Sequence, residues 1–305
     1  MRSLVDMDTI QIEVTNACTM SCANCTRMGQ HAEKPFYMTM ECFKAAVDSM
    51  VEYPKMTGMM GGEPLIHPNF PEMCEYMVSK IPRTRLGLWT TFPHGYENYA
   101  EIICKTFNYV FLNDHTRADI FHQPFLVAIQ EVMPNRNEMF AHINNCVFQH
   151  SWSASINPNG AFFCEIAAAL SLLFKEKGWP VTSDWWWKTP KDFKDQIERF
   201  CPFCGGAVPL ARRSSVEDID DISPLNYEML KGTSPKIRNG KFKIHDLKIS
   251  SCPEPMAAYK DLDYRDKIAS RYGIYLSITQ NGFWEPHMGV KPASLMSKYK
   301  NWYKD

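Results

Sequence analysis

The sequence of 305 residues contains no long apolar run, so we expect no membrane-spanning segment. Its longest apolar stretch runs from Ile166 to Phe174 and includes a serine, whereas a transmembrane helix needs about 20 apolar residues. The first residues also lack the continuous apolar segment of a secretory signal. Together these absences favour a cytoplasmic protein.

An excess of one charge is also missing. The chain has 33 Lys and Arg residues against 34 Asp and Glu residues, which gives a formal net charge of −1. A protein that coats nucleic acid or an anionic membrane usually carries a clear excess of basic residues. We therefore expect neither nucleic acid nor a membrane as a partner.

Cysteine, by contrast, is plentiful, with 11 residues and no secretory signal, which favours metal or redox chemistry over a disulfide framework. A first cysteine set, Cys18, Cys22 and Cys25, follows a segment with strand-like alternation. Three such thiolates can each bind a different iron of one [4Fe–4S] cluster and leave the fourth iron open. A zinc site and a chance spacing of buried cysteines are the alternatives.

The first half of the chain alternates strand-like and helix-like segments, which predicts βαβ units and a parallel sheet. The predicted strands are 9–15, 55–60, 86–91, 109–112 and 139–143, and the predicted helices are 40–52, 71–81, 96–107 and 125–132. Functional loops of parallel sheets follow the carboxyl ends of the strands. The candidate loops therefore begin at Asn16, Gly61, Thr91, Asn113 and Asn144.

The pattern changes after residue 145, and we predict three regions, 1–145, 146–206 and 207–305, the last without an assigned role. A second cysteine set lies in the middle region and comprises Cys146, Cys164, Cys201 and Cys204. The segment between the first two reads as a hairpin that turns at Asn159-Gly160. Four thiolates complete a coordination sphere, so this set suits either a [4Fe–4S] cluster or structural zinc.

Two motifs together resemble those of the radical S-adenosylmethionine (SAM) superfamily. They are the CxxxCxxC spacing of the first cysteine set and the sequence GGEP at residues 61–64. The second set, a hairpin followed by a distant CxxC, resembles the shortened auxiliary-cluster module called Twitch, a truncated SPASM domain. The resemblance implies an α/β fold: a partial (β/α) barrel with a small cysteine-rich auxiliary cluster domain.

The same resemblance implies two [4Fe–4S] clusters, with SAM bound at the open iron of the first. Gly61, Gly62 and Glu63 would recognise the SAM amino group, and Thr91 and Asn113 would be further contacts. The residue before the last cysteine of the motif is often aromatic in the family, whereas here it is Asn24, whose backbone is the candidate adenine contact. An electron donor such as flavodoxin or ferredoxin would be a partner.

The implied reaction starts with a 5′-deoxyadenosyl radical that abstracts a hydrogen atom from a small-molecule substrate. We expect a two-electron, dehydrogenase-type oxidation of a hydroxyl on a sugar- or cyclitol-like molecule, with His115 or Asp114 accepting the hydroxyl proton. Epimerisation, decarboxylation and peptide C–H modification are alternatives; an epimerase would need a hydrogen-atom donor, for which Cys252 is the candidate. A metal-stapled binding or scaffold protein is the alternative of another class.

Overall fold

The computed structural model describes residues 1–113, 115–116, 118 and 120–250. Asp114 and Cys252 lie outside the described residues, as does the rest of the chain after residue 250. Within the described part, none of the helices is long and apolar enough to span a bilayer.

A six-stranded sheet forms the centre of the molecule, with the strand order β4-β3-β2-β1-β6-β7. Every neighbouring pair is parallel except β6 and β7, which form an antiparallel hairpin. This confirms the predicted parallel α/β sheet, and β1 to β4 lie side by side in chain order, as in a partial (β/α) barrel. The strands of this sheet are β1 (Thr9–Thr15), β2 (Met56–Gly61), β3 (Leu86–Thr90), β4 (Tyr109–Leu112), β6 (Ala154–Asn157) and β7 (Gly160–Phe162).

Helices connect these strands and flank the sheet. The Thr39 hydroxyl accepts a hydrogen bond from the Cys42 N–H at 3.2 Å, so the first helix begins where the sequence predicts. Its predicted apolar stripe, which includes Phe43 and Val47, is fully buried. The helices are α1 (Met40–Ser49), α2 (Phe70–Lys80), α3 (Ala100–Thr106), α4 (Ile129–Val132), α5 (Arg136–Asn144), α6 (Val147–Ser151), α7 (Glu165–Phe174), α8 (Lys194–Phe200), α9 (Pro224–Leu230) and α10 (Pro235–Arg238).

The strand predicted at residues 139–143 is wrong, because this segment lies within the helix α5. The Asn135 side chain caps that helix by accepting hydrogen bonds from the N–H groups of Asn137 and Glu138. Met139 and Ile143 are four residues apart and both buried, as two positions on one helix face should be. The five-residue segment MFAHI is too short to show this helical spacing by itself.

The two faces of the sheet differ in chemistry. On β1, Ile10 and Ile12 belong to the main hydrophobic core with α1, while Gln11 and Glu13 point to the opposite face, called here the inner face. On β3 the inner face carries Trp89, whose ring stacks on Phe111 with centroids 4.1 Å apart. The inner face is therefore polar near β1 and aromatic toward β4.

The hairpin of β6 and β7 confirms the predicted turn at Asn159-Gly160, where Gly160 has a φ of +125°. Because β6 pairs with β1, the hairpin that begins the cysteine-rich region extends the central sheet. The run Trp185–Trp187 packs against α1, since the Trp186 indole donates to the Ser49 carbonyl at 3.0 Å. Trp185 and Trp186 are both buried and serve as packing residues.

Residues 207–250 return to the carboxyl edge of the sheet. Two short strand pairs lie here: β5 (Phe121–His122) with β8 (Arg213–Ser214), antiparallel, and β9 (Asp220–Ile222) with β10 (Phe242–Ile244), parallel. The stretch 213–245, which contains β8 to β10, is called here the clamp segment.

Candidate functional site

The first cysteine set lies in the loop that leaves the carboxyl end of β1. Burial, with smaller contributions from Cys25 and Glu63, raises the pKa of the Cys18 thiol to about 12. Burial likewise raises the pKa of Cys22, as do Cys25 and Cys18. The Glu63 N–H also donates to the carbonyl of Ala17, the residue before Cys18, so Glu63 lies beside the first cysteine set. The structure thus brings together the residues of both sequence motifs.

The turn Gly61–Glu63, called here the GGE turn, is hydrogen-bonded to the backbone that leads into this loop. The Gly62 N–H donates to the Thr15 carbonyl at 2.8 Å, and the Glu63 N–H donates to the Ala17 carbonyl at 2.8 Å. A Cβ atom on Gly62 would lie 2.2 Å from the Ala17 oxygen, which is closer than any real contact. Glycine is therefore required for this approach.

The Glu63 carboxylate is fully buried and holds the ends of β2 and β3 together. One oxygen accepts hydrogen bonds from the Leu65 N–H at 3.0 Å and the Thr90 hydroxyl at 2.7 Å. The other accepts from the N–H and the hydroxyl of Thr91, both at 2.7 Å. Burial raises the pKa of Glu63, although these hydrogen bonds oppose the shift. Sequence reasoning found Thr91 but missed Thr90.

Asn24 is held in an αL conformation, with a φ of +48°. Its N–H donates to Asp220 at 2.5 Å, its amide group donates to Asp221 at 3.0 Å, and its amide oxygen accepts from the Asp221 N–H at 2.8 Å. The side chain of Asn24 is thus directed toward β9, which leaves its backbone carbonyl as the polar group that these contacts do not use.

The clamp segment holds the cysteine loop through a buried lysine. The Lys236 ammonium, on a side chain only 2% exposed, donates to the Cys22 carbonyl at 3.0 Å and to Asp220 at 2.9 Å. His31 lies 2.6 Å from the other oxygen of Asp220. Burial alone would raise the pKa of Asp220, but His31 and Lys236 lower it below its usual value.

Asn113 and His115 follow β4 at the same edge of the sheet. The Asn113 N–H donates to the Thr90 carbonyl at 2.9 Å, so this residue lies next to the strand end that carries Thr91. The His115 ring lies 4.8 Å from the ring of His122, and His122 in turn is 2.6 Å from the Ala23 carbonyl. His115 therefore reaches the first cysteine loop through His122.

Within the second cysteine set, the Cys204 N–H donates to the Cys201 carbonyl at 3.1 Å. Burial raises the pKa of Cys201, and Cys204, Cys146 and Cys164 add to the shift. Backbone N–H groups point at three of these sulfurs; the Gly206 N–H, for example, donates to Cys204 at 3.3 Å. Such donors stabilise the thiolate form that metals bind. No disulfide joins any of the ten cysteines that the structure describes.

Neither cysteine set forms a ready-made site for a single metal ion. Among the described residues, no group of three or more His, Cys, Asp or Glu side chains is arranged to hold one metal ion. In a [4Fe–4S] cluster each thiolate binds a separate iron, whereas structural zinc takes all of its ligands on one ion.

The fold and these two sets define an α/β protein with an open, partial-barrel sheet and two sets of free cysteines, the first of them at the carboxyl end of β1. No family model matches the chain, and no curated protein matches it. Among solved structures it is similar to BtrN in complex with AdoMet and 2-DOIA (15% identity, TM-score 0.44, 65% of this chain and 93% of that chain). It is also similar to selenomethionine BtrN in an open conformation (16% identity, TM-score 0.42, 65% and 86% of the two chains).

Proposed function

We propose that this protein is a radical SAM enzyme. The observation that carries the proposal is that the GGE turn is hydrogen-bonded to Thr15 and Ala17, the residues that lead into the first cysteine set. Cys18, Cys22 and Cys25 would hold a [4Fe–4S] cluster that binds SAM, and together they would supply a 5′-deoxyadenosyl radical. Binding and orienting SAM would be the task of the protein's own residues.

The residues around this loop would bind and orient SAM. Backbone groups of Gly61 and Gly62 would contact its amino group, while the hydrogen bonds of the Glu63 side chain fix the conformation of the turn. Thr91 and Asn113 lie at neighbouring strand ends, where both can reach the same ligand. The backbone of Asn24 would contact the adenine, because its side chain is bound to β9.

The second cysteine set would hold an auxiliary [4Fe–4S] cluster of the Twitch type. Its four thiolates leave no coordination position for substrate, which suits electron transfer. Structural zinc is the second candidate, favoured by the same count of four thiolates. The spacing of this set is similar to that of 2-deoxy-scyllo-inosamine dehydrogenase, an aminocyclitol-oxidising enzyme, and supports oxidation of a hydroxyl on a sugar- or cyclitol-like molecule.

In that reaction His115 or Asp114 would accept the hydroxyl proton, since oxidation of an alcohol releases one. An electron donor such as flavodoxin or ferredoxin would serve the enzyme in the cytoplasm. Epimerisation, decarboxylation and peptide C–H modification use similar modules and are the competing outcomes.

Iron content and SAM binding test the proposal. Anaerobically reconstituted protein should carry about eight irons per chain, two cubes of four, and should bind SAM in a calorimetric titration. Replacing Cys18, Cys22 and Cys25 with Ala should halve the iron and abolish SAM binding, whereas replacing the second set should halve the iron only. If the native protein contains about four irons per chain and one equivalent of zinc, the auxiliary cluster is rejected. If the protein does not bind SAM, the assignment to the radical SAM enzymes is rejected.

A further inference from the structure

Arg27 is a buried cation that the proposed function does not use. Its side chain is only 4% exposed, and it follows Cys25 of the first cysteine set by two residues. An arginine side chain keeps its positive charge throughout the pH range in which proteins are folded. A buried charge is strongly unfavourable unless it is paired, so the partners of Arg27 decide where this charge acts.

The closer of its two charged partners is Glu165, which directly follows Cys164 of the second cysteine set. The Arg27 guanidinium lies 3.4 Å from the Glu165 carboxylate, and the Glu165 side chain is 6% exposed. The Ser153 hydroxyl donates to the same carboxylate oxygen at 3.1 Å. One buried ion pair therefore joins a neighbour of the first cysteine set to a neighbour of the second.

The covalent chain keeps this ion pair near both cysteine sets. Consecutive Cα atoms are about 3.8 Å apart, so the Cα atoms of Arg27 and Cys25 are separated by roughly 7 Å at most. The Cα atoms of Glu165 and Cys164 are a single such step apart. A cluster at either set would therefore have the same charged pair in its surroundings.

A second carboxylate belongs to this group. Glu13 on β1 is fully buried, and its carboxylate lies 4.0 Å from the Arg27 guanidinium. Burial raises the pKa of Glu13 to about 7, against the effect of Arg27. The guanidinium also donates to the Met60 sulfur on β2 at 3.4 Å. Glu13, Arg27 and Glu165 are called here the charged triad.

Stability alone does not account for such a group. Replacing a buried ion pair with apolar residues of similar volume is often neutral or stabilising, because the charges lose their hydration when they are buried. The field of a buried charge, by contrast, is weakly screened and acts on any charge that forms nearby. Reduction of an iron–sulfur cluster adds one electron, and the net charge around a cluster is one of the factors that set its reduction potential.

We propose that the charged triad is a shared electrostatic group that sets the reduction potentials of the clusters at both cysteine sets; this inference rests on the proposed function and deepens it. Arg27 raises both potentials, because a positive charge stabilises the added electron. Glu165 and Glu13 lower them. Removing one of these carboxylates should therefore favour reduction at both sets together.

Glu165→Gln tests this inference, because glutamine keeps the size of the side chain and an acceptor for the Ser153 hydroxyl. The anaerobically reconstituted full chain is titrated with dithionite at pH 8, above the pKa of Glu13, and both clusters are followed by EPR. The first cluster is the one whose signal changes when SAM is added. At a given potential, both clusters of the variant should show about a tenfold higher ratio of reduced to oxidised form, which is 59 mV for one electron.

Glu13→Gln is the second variant and should shift both reduction potentials in the same direction. Glu176→Gln is the matched control. Glu176 also pairs with an arginine, Arg199 at 3.2 Å, but its side chain is 48% exposed, so solvent screens its charge. The control should leave both reduction potentials at their wild-type values.

Two outcomes overturn the inference: a shift confined to one cluster, which would make each carboxylate a local group, or no shift in either variant. Iron analysis and SAM titration of the same samples separate this inference from the proposed function. Two clusters with unshifted potentials reject the shared group alone. A single cluster in the wild type rejects the auxiliary cluster and the shared group with it, whereas a shared shift without SAM binding rejects the enzyme class and leaves the shared group.

Discussion

Lys236 shows at the scale of one residue how a distant part of the chain fixes the first cysteine loop. We predict that Lys236→Met destabilises the protein by about 3–5 kcal/mol, because it leaves the buried Asp220 carboxylate with one fewer cation. Chemical denaturation of the reconstituted protein measures this, and iron analysis should show loss at the first site while the second keeps its iron.

The control for this prediction is Lys241→Met. Lys241 also pairs with an aspartate, but its side chain is 50% exposed, so the change should cost less than about 1 kcal/mol. Lys236→Arg keeps the charge and should restore part of the loss. Equal effects of the two methionine variants would show that Lys236 is not a buried anchor.

Glu13 gives the protein a pH dependence of defined sign. Its pKa is raised from the model-compound value of 4.5 to about 7 in the folded state, so the folded form holds a proton that the unfolded form has lost. Stability from this group is complete below pH 4.5 and declines as the pH rises to about 7. The decline amounts to roughly 3 kcal/mol, with Arg27 and Glu165 as the charged neighbours.

Urea denaturation of wild type and Glu13→Gln across this pH range checks the prediction. The two proteins should have similar stability near pH 4.5, and the variant should become the more stable one toward pH 7. Parallel curves would mean that Glu13 titrates like an exposed glutamate, in disagreement with its burial.

At the scale of elements, the contact between the GGE turn and the cysteine loop depends on a missing side chain. Gly62→Ala places a Cβ atom against the Ala17 carbonyl, so the turn and loop must separate. We expect a destabilisation of about 1–3 kcal/mol and at least a tenfold loss of SAM affinity in a calorimetric titration.

Gly232→Ala is the matched control, because nothing lies within 4 Å of a Cβ atom at that position. This change should leave both stability and SAM affinity close to those of wild type. If Gly62→Ala behaves like the control, the turn is not held against the loop in solution.

The elements also show what sequence can predict. Strand β1 and strand β4 begin and end where periodicity places them, since alternation over a whole strand is a local signal. The helix α5 was missed because its apolar residues are few and its Asn135 cap lies outside the window that suggested a strand. The cysteine spacing and the GGE turn predicted candidate ligands. The hydrogen bond between Asn24 and Asp221, by contrast, joins residues that are far apart in sequence, and no local sequence pattern predicts such a contact.

At the scale of the whole molecule, the proposed oxidation predicts the fate of the abstracted hydrogen. Turnover of a candidate polyol deuterated at its carbinol carbon should yield a product that has lost that deuterium and one hydroxyl proton. One deuterium should appear in 5′-deoxyadenosine, and mass spectrometry of both products measures this.

Turnover of the unlabelled polyol in D2O that gives a product one mass unit heavier, with one deuterium from solvent, would instead indicate an epimerase. In that case Cys252→Ala should abolish the solvent label, because Cys252 is the cysteine proposed as hydrogen-atom donor. Loss of carbon dioxide from the substrate would indicate a decarboxylase.

The clamp segment has a consequence for the order in which the protein matures. The first cysteine set is synthesised among the earliest residues, yet Lys236 and Asp220, which hold its loop, are synthesised roughly two hundred residues later. Domains fold as their residues leave the ribosome. The loop that carries the cysteines therefore lacks its contacts with Lys236 and Asp220 while most of the chain is synthesised. Insertion of the proposed cluster would therefore be a late event, and the nascent chain would have to keep three thiols from oxidation until then.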